Sequence, residues 1–261
     1  MSRAKIGIID IETAPIVGNT WGLFDQTIGL NQIERDWAVL SFSFKPLGAS
    51  RKDIEYKDNR DKADPRDDYD LCFRLGQILD EYDFLIAQNG KRFDLRKIRA
   101  RLIKHGFPPH SPVKVIDTLL MAKQVAAFTS NKLEYLAAEL TDEPKEQHKE
   151  FPGYELWKEC LAGNLKAWQC MQRYNVRDIT ACEKVYLRLR PWVNDHPNVN
   201  VYHDDNDVVR CKVCGSDNVE RRGYQYTNVG QYHRYRCGDC GGWSRSRYTL
   251  NPIKARRNLT T

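Results

Sequence analysis

The stretch Lys5-Ile6-Gly7-Ile8-Ile9-Asp10-Ile11-Glu12-Thr13 decides how this chain is read. An apolar run closed by two acids predicts a strand over 5–11 rather than a helix. On a strand, side chains alternate between faces, so Asp10 and Glu12, two apart, point to the same side. A second apolar run, Phe84-Leu85-Ile86-Ala87, leads into Asn89-Gly90-Lys91-Arg92-Phe93-Asp94. A third acidic segment, Tyr174-Asn175-Val176-Arg177-Asp178, lies inside a long helical pattern. Tyr174 and Asp178 are four apart there and share a face.

Each segment has a plain reading of its own: a strand ending in turn residues, acids near the positive end of a helix dipole, a surface i,i+4 pair. Together they offer four carboxylates and one tyrosine. Carboxylates facing one spot repel unless cations sit between them, and hard oxygen ligands favour magnesium or manganese. Such a set can hold two divalent cations and position a water against a phosphodiester, so the chain reads as a nuclease.

With 261 residues, 41% hydrophobic and 29% charged, the chain is long enough for one good core plus a small extra module. Its apolar runs fall far short of the roughly 20 residues that cross a bilayer, so no membrane role is expected. Met1 leads straight into the first strand without a secretory h-region, which predicts a cytoplasmic location. The net charge of +6 is uneven. From Arg210 onward the balance is +8, and the rest of the chain carries −2. A basic tail points to an anionic partner, nucleic acid first; the plainer alternative is a solvated charged face.

Further strands are predicted at 38–44, 53–57, 84–88 and 113–116. Helices are predicted at 68–82, with Leu71, Leu75, Ile78 and Leu79 on one face, and at 93–105, 117–126, 131–140, 154–161 and about 164–189, stopping at Pro191. Three early strands followed by alternating helix and strand predict an α/β fold, a mixed five-stranded sheet with helices on its faces. Ligands of such sheets gather at strand ends, where the acidic segments fall. The expected domains are a nuclease domain over 1–193, a linker over 194–208 and a small cysteine module over 209–261.

Taken as a set, the segments resemble the DEDD superfamily of 3′→5′ exonucleases (DnaQ-like, ribonuclease H-like fold), and within it the proofreading domain of family B DNA polymerases. Asp10-Ile11-Glu12-Thr13 matches the first motif; Asn89, Phe93 and Asp94 match the second; Tyr174 and Asp178 match the third in its tyrosine variant. The histidine variant would need His at position 173, which is arginine. Val115-Ile116-Asp117-Thr118 and Asn131-Lys132-Leu133-Glu134-Tyr135-Leu136 are also similar. The resemblance covers roughly residues 1–190, with too little chain left for a polymerase. It implies that Asp10 bridges two metals, that Glu12 and Asp178 bind the one carrying the attacking water, and that Asp94 supports the other. Tyr174, whose ordinary pKa is about 10, orients a water rather than acting as a base. Asn89 fixes the loop before Asp94 or touches substrate. Phe93 is expected in the core, with stacking on a terminal base as the alternative. Asp117 reads as a helix N-cap with a supporting role at the site as the other option.

Cys72, Cys160, Cys170 and Cys182 are scattered through helical patterns and read as core. Cys211-Lys212-Val213-Cys214 and Cys237-Gly238-Asp239-Cys240 form two C-x₂-C pairs 22 residues apart, which predicts a structural zinc ribbon with no open coordination position. Gly215 and Gly238 are the expected knuckle glycines. Between and after the pairs, Arg221, Arg222, Tyr224, Arg234 and Arg236 interleave charge with aromatic rings, a pattern suited to phosphates and bases. Tyrosines serving as the core of a small domain are the alternative, and both can hold on opposite faces of a hairpin. The expectation is thus a two-metal 3′→5′ exonuclease with one structural zinc, acting on nucleic acid, single-stranded DNA ahead of RNA. The other readings are a ribonuclease trimming RNA 3′ ends, a non-catalytic nucleic-acid-binding module and a structure-selective endonuclease.

Overall fold

A computed structural model describes residues 4–142, 150–204 and 207–258. In chain order the elements are β1 (Ile6–Thr13), β2 (Val17–Gly18), β3 (Ile33–Arg35), β4 (Val39–Pro46), β5 (Glu55–Asp58), α1 (Tyr69–Glu81), β6 (Phe84–Ala87), α2 (Asp94–Lys104), β7 (Lys114–Asp117), α3 (Thr118–Val125), α4 (Leu133–Leu140), α5 (Glu155–Leu161), α6 (Leu165–Leu189), β8 (Val219–Thr227), β9 (Gly230–Cys237), β10 (Trp243–Arg245) and α7 (Ile253–Arg256). No helix among the described residues is long and apolar enough to cross a membrane.

The predicted mixed sheet is present, with strand order β5-β4-β1-β6-β7. β4 runs antiparallel to β1 and β5; β1, β6 and β7 are parallel. Helices cover both faces, so the central strands are buried almost throughout. On one face Ile9, Ile11, Phe42 and Phe44 meet Leu71, Leu75, Ile78 and Leu79 of α1 and Ile98 and Leu102 of α2. A separate cluster joins Leu40 and Ala14 to Leu156 and Cys160 of α5 and to Trp168 and Met171 of α6. Leu40 sits at a bulge: Glu12 pairs with Ser41 and Thr13 with Val39, leaving Leu40 without a partner on β1.

The other face of β1 and β4 carries polar groups. Asp10 pairs with Ser43 and Glu12 with Ser41, and directly paired residues share a face. α6 supplies Asn175 to Asp10, and eight residues on, Glu183 to Lys45. Lys45 and Glu183 are buried together, and Glu183 Oε1 also accepts from the Gly48 N–H at 2.8 Å. The desolvation of both charges offsets much of their attraction, so removing either partner alone would cost more than the pair contributes.

The chain divides into two compact units, one of Lys5–Leu120 with Thr129–Val185, the other of Met121–Phe128 with the chain from Tyr186 on. In the second, residues 194–204 carry a 3₁₀ turn at Val199–Tyr202; Val199 is buried and donates its N–H to the Lys212 carbonyl at 2.8 Å. His196 is buried against the Tyr186 hydroxyl at 2.9 Å. Asp205 and Asn206 of the stretch read as a linker, and residues 259–261 of the basic tail, lie outside the described residues. β8, β9 and β10 form an antiparallel sheet in the order β10-β9-β8.

Candidate metal centre and cysteine cluster

The fold brings the first and third acidic segments together. Carboxylate oxygens of Asp10, Glu12 and Asp178 all lie within 4.8 Å of one another, half-buried at the end of β1 and along α6. Asp94, at the start of α2, is buried and stands beside this trio, its Oδ1 accepting the Ile11 N–H at 3.2 Å. That bond ties the second segment to the strand that carries the first. Tyr174 shares a face of α6 with Asp178, as its spacing predicts, and its hydroxyl hydrogen-bonds to that carboxylate. Its ring meets Trp157 edge-on at 6.3 Å.

Burial sets the electrostatics and mutual repulsion adds to it. Burial, then the charges of Glu12, Asp94 and Asp178, push Asp10 well above the usual carboxylate range, and the Asn175 amide partly offsets this. Burial and then Asp178 raise Glu12 to about 8, against the indole N–H of Trp157, which donates to Oε2 at 3.2 Å. Burial raises Asp94 to about 7 against the backbone N–H groups it accepts. Burial likewise raises Asp178 to about 7 against the Tyr174 hydroxyl and Arg177. The same burial, with three carboxylates nearby, lifts the Tyr174 phenol above its ordinary value. Oxygen donors that resist sharing negative charge without a counter-ion fit hard divalent cations.

Two further residues, neither of them a motif position, support the acids. Asn175 donates to Asp10, and Trp157 to Glu12. The first lies three residues from Asp178 on the same helix and was open to an i,i+3 argument. The second has no spacing that marks it.

Asp117 caps α3 as predicted: its Oδ1 accepts from Leu119 and Leu120 at 3.1 and 3.3 Å. The same carboxylate accepts the N–H groups of Asn89 and Lys91, both at 3.1 Å. Asn89 sits at φ 60° and its carbonyl accepts from Arg92 and Phe93, so it shapes the turn into α2. Phe93 departs from the expectation of a core position: it is 36% exposed. It stands just before α2, outside the stripe formed by Ile98 and Leu102, and its ring has the Lys97 ammonium 5.6 Å from its centre.

Cys211, Cys214, Cys237 and Cys240 converge, with Cys211–Cys240 and Cys214–Cys237 sulfur separations of 3.6 Å. Those distances are far beyond a disulfide's roughly 2.05 Å. They are near the edge of a tetrahedron built on sulfur–zinc bonds of about 2.3 Å. Hydrogen bonds among the sulfurs pull the Cys211 thiol below its usual range and push those of Cys214 and Cys240 above it, so these groups share protons as one cluster. Each pair forms a knuckle. Gly215 N–H returns to the Cys211 carbonyl at 2.9 Å, and Gly241 N–H to that of Cys237 at 3.1 Å. Gly215 and Gly241 have φ of 74° and 75°, which a side chain would strain. The second knuckle uses Gly241 for its left-handed turn as well as the expected Gly238, where a Cβ would come within 2.6 Å of the Asn218 side chain.

The five basic and aromatic residues expected at substrate do not share one surface. Arg222, Arg234 and Arg236 lie on one face of the small sheet, Arg221 and Tyr224 on the other. A bulge between Arg221 and Tyr224 produces the split by breaking the period-two alternation.

The model of the RNase_H superfamily matches residues 8–190, and the chain belongs to that superfamily. The match spans all three acidic segments and agrees with the resemblance to DnaQ-like exonucleases read from them. The chain is 26% identical to the DNA polymerase III PolC-type of Ureaplasma parvum serovar 3, over 51% of this chain and 9% of that protein's length. Among solved structures, a family B DNA polymerase from the hyperthermophilic archaeon Pyrobaculum calidifontis is similar at 13% identity with a TM-score of 0.48, covering 73% of this chain and 26% of that one.

Proposed function

We propose that this protein is a metal-dependent 3′→5′ exonuclease hydrolysing phosphodiester bonds, with single-stranded DNA favoured over RNA. The observation that carries this reading is the convergence of Asp10, Glu12 and Asp178 within 4.8 Å, with Asp94 and Tyr174 beside them. DNA is favoured because the curated relative is by name a DNA polymerase.

Asp10, Glu12 and Asp178 would hold two magnesium or manganese ions, with Asp94 in support. Such ions acidify a bound water and neutralise charge on the phosphate and leaving oxygen. The Tyr174 phenol stays protonated at neutral pH, so it holds a water by hydrogen bonding and does not take its proton. Asn89 keeps the turn before Asp94 in shape, and exposed Phe93 is free to meet a terminal base. One structural zinc would sit on Cys211, Cys214, Cys237 and Cys240. Residues 1–193 would form the nuclease domain, 194–208 its connection and 209–261 the zinc module, which helps hold nucleic acid. The expected location is the cytoplasm.

The test is a gel assay of purified protein with manganese or magnesium on matched single-stranded DNA, duplex DNA and RNA labelled at the 5′ end. A ladder shrinking from the 3′ side, absent with Asp178→Asn, is the expected result. Cleavage of a closed single-stranded circle at a comparable rate would overturn the exonuclease reading.

A further inference from the structure

The two faces of the small sheet carry different sets of stacked charges and rings, and the face of Arg234 and Arg245 carries more of both, although Arg234 Nε donates to the Arg222 carbonyl at 2.9 Å and Arg245 Nη1 to that of Ser246 at 3.2 Å. On the face of Arg221, Tyr224 and His233 one arginine lies over one stacked pair of rings. Tyr224 stacks on His233 with ring centres 5.8 Å apart, and Arg221 lies over the Tyr224 ring and donates to its hydroxyl at 3.1 Å.

The opposite face is arranged otherwise. Trp243 pairs with Arg236 and Arg245 with Arg234, so β9 and β10 present these four side chains together, with Tyr232 two residues before Arg234. The Arg245 guanidinium lies 3.9 Å from the centre of the Tyr232 ring. Those of Arg234 and Arg236 lie 4.8 and 5.9 Å from that of Trp243. All three arginines are exposed, and Trp243 remains 43% exposed beside them. Among the described residues, none of the three is paired with a carboxylate; the nearby acid, Glu220, is already paired with Arg222 at 2.7 Å.

A guanidinium laid on an aromatic ring is held in place yet keeps N–H groups to give an anion. Alternate residues on a strand stand about 6.8 Å apart, so Arg234 and Arg236 are spaced to take neighbouring phosphates of an extended strand. We propose that the face formed by Tyr232, Arg234, Arg236, Trp243 and Arg245 binds single-stranded nucleic acid without regard to sequence. The arginines take successive phosphates and the open surface of Trp243 stacks a base. The opposite face, with Arg221 and Tyr224, takes no part. This rests on nucleic acid being the partner of the proposed nuclease.

The experiment measures fluorescence anisotropy of a labelled oligothymidylate with the full chain, zinc retained and no magnesium or manganese added, across a salt series. Replacing Arg234, Arg236 and Arg245 together by Gln should weaken binding and make the slope of log affinity against log salt shallower by about 2, at roughly 0.7 per lost phosphate contact. Trp243→Ala should weaken binding roughly 5- to 150-fold with little change in slope. Arg221→Gln should leave affinity and slope at wild-type values. Zinc content and circular dichroism exclude unfolding, and Arg234→Gln alone, a surface change, gives the same sign if the triple variant loses zinc. Wild-type binding by the folded Arg variants, or an equal loss with Arg221→Gln, overturns the face assignment while leaving the nuclease reading intact. Failure of the wild-type chain to bind any oligonucleotide overturns the proposal; if it also degrades none with manganese, the nuclease reading falls too.

Discussion

The side-chain amide of Asn175 donates to Oδ2 of Asp10, across 165 residues of sequence. It is a neutral donor among carboxylates, so it holds Asp10 in one orientation without competing for a cation. Removing such support from a metal ligand commonly costs 10- to 100-fold in metal affinity or activity. Asn175→Ala is expected to raise the manganese concentration for half-maximal nucleolysis by roughly that factor. Titration of activity against manganese checks it, and an unchanged midpoint would show that the amide only packs.

Tyr174→Phe keeps the ring on Trp157 and deletes the hydroxyl that meets Asp178. A hydroxyl that positions water should cost less than the 10²–10⁴ typical of a lost general acid or base. Turnover should fall roughly tenfold, and the pH–rate profile should keep its shape. A wild-type rate would reduce Tyr174 to packing, and the loss of an ionisation limb from the profile would make it a proton acceptor.

Without divalent cations, the carboxylate cluster should weaken the fold as pH rises. The folded values of about 8 for Glu12 and about 7 for Asp94 and Asp178 lie above the unfolded values near 4. The folded state therefore holds more protons than the unfolded one. The contribution to stability is fully present below about pH 4 and is lost as pH climbs through about 7 to 8. Melting in chelator of low zinc affinity should drop over that window, and manganese should restore more of the melting temperature at pH 8 than at pH 5. A manganese effect independent of pH would contradict ligation by these groups.

Zinc should be confined to the cysteine cluster. The full chain should carry one tightly held zinc, and Cys214→Ser should release it and melt β8–β10 while cleavage of short oligonucleotides with magnesium continues. Elemental analysis and the oligonucleotide assay check both halves. Retention of zinc by the variant would place the metal elsewhere.

The sheet and its helices were legible because apolar periodicity marks them strongly. The run at 84–88 is too short for a helix and reads as a buried strand by its length, and Leu71, Leu75, Ile78 and Leu79 fall on one side of a helix. The trio of carboxylates was legible because strand spacing puts Asp10 and Glu12 on one face and helix spacing puts Asp178 on one face with Tyr174. Trp157 was not, since its bond to Glu12 joins groups 145 residues apart that no local spacing links; Asn175 was only partly so, since its spacing from Asp178 gives the helix face but not the bond to Asp10. The division of the arginines was hidden for another reason: alternation predicts that Arg221 and Tyr224 point apart, and the bulge between them puts them together.

The bulge at Leu40 also bears on which changes of chain length this fold can absorb. An extra residue in a strand looks dispensable, since deleting it would bring Thr13 and Val39 into unbroken register with the Glu12–Ser41 pair. Yet Leu40 is wholly buried among Trp168, Met171 and Leu156, and its carbonyl accepts the Asn59 N–H at 3.2 Å. A deletion there would leave a hole under α5 and α6, the helices that carry Trp157, Tyr174, Asn175 and Asp178. An insertion next to it would turn Ser41 and Ser43 away from the acids and swing Phe42 into their place. Length variants of this segment should therefore be rare among active relatives, while changes of residue type at Ser41 and Ser43 toward other small side chains should be common.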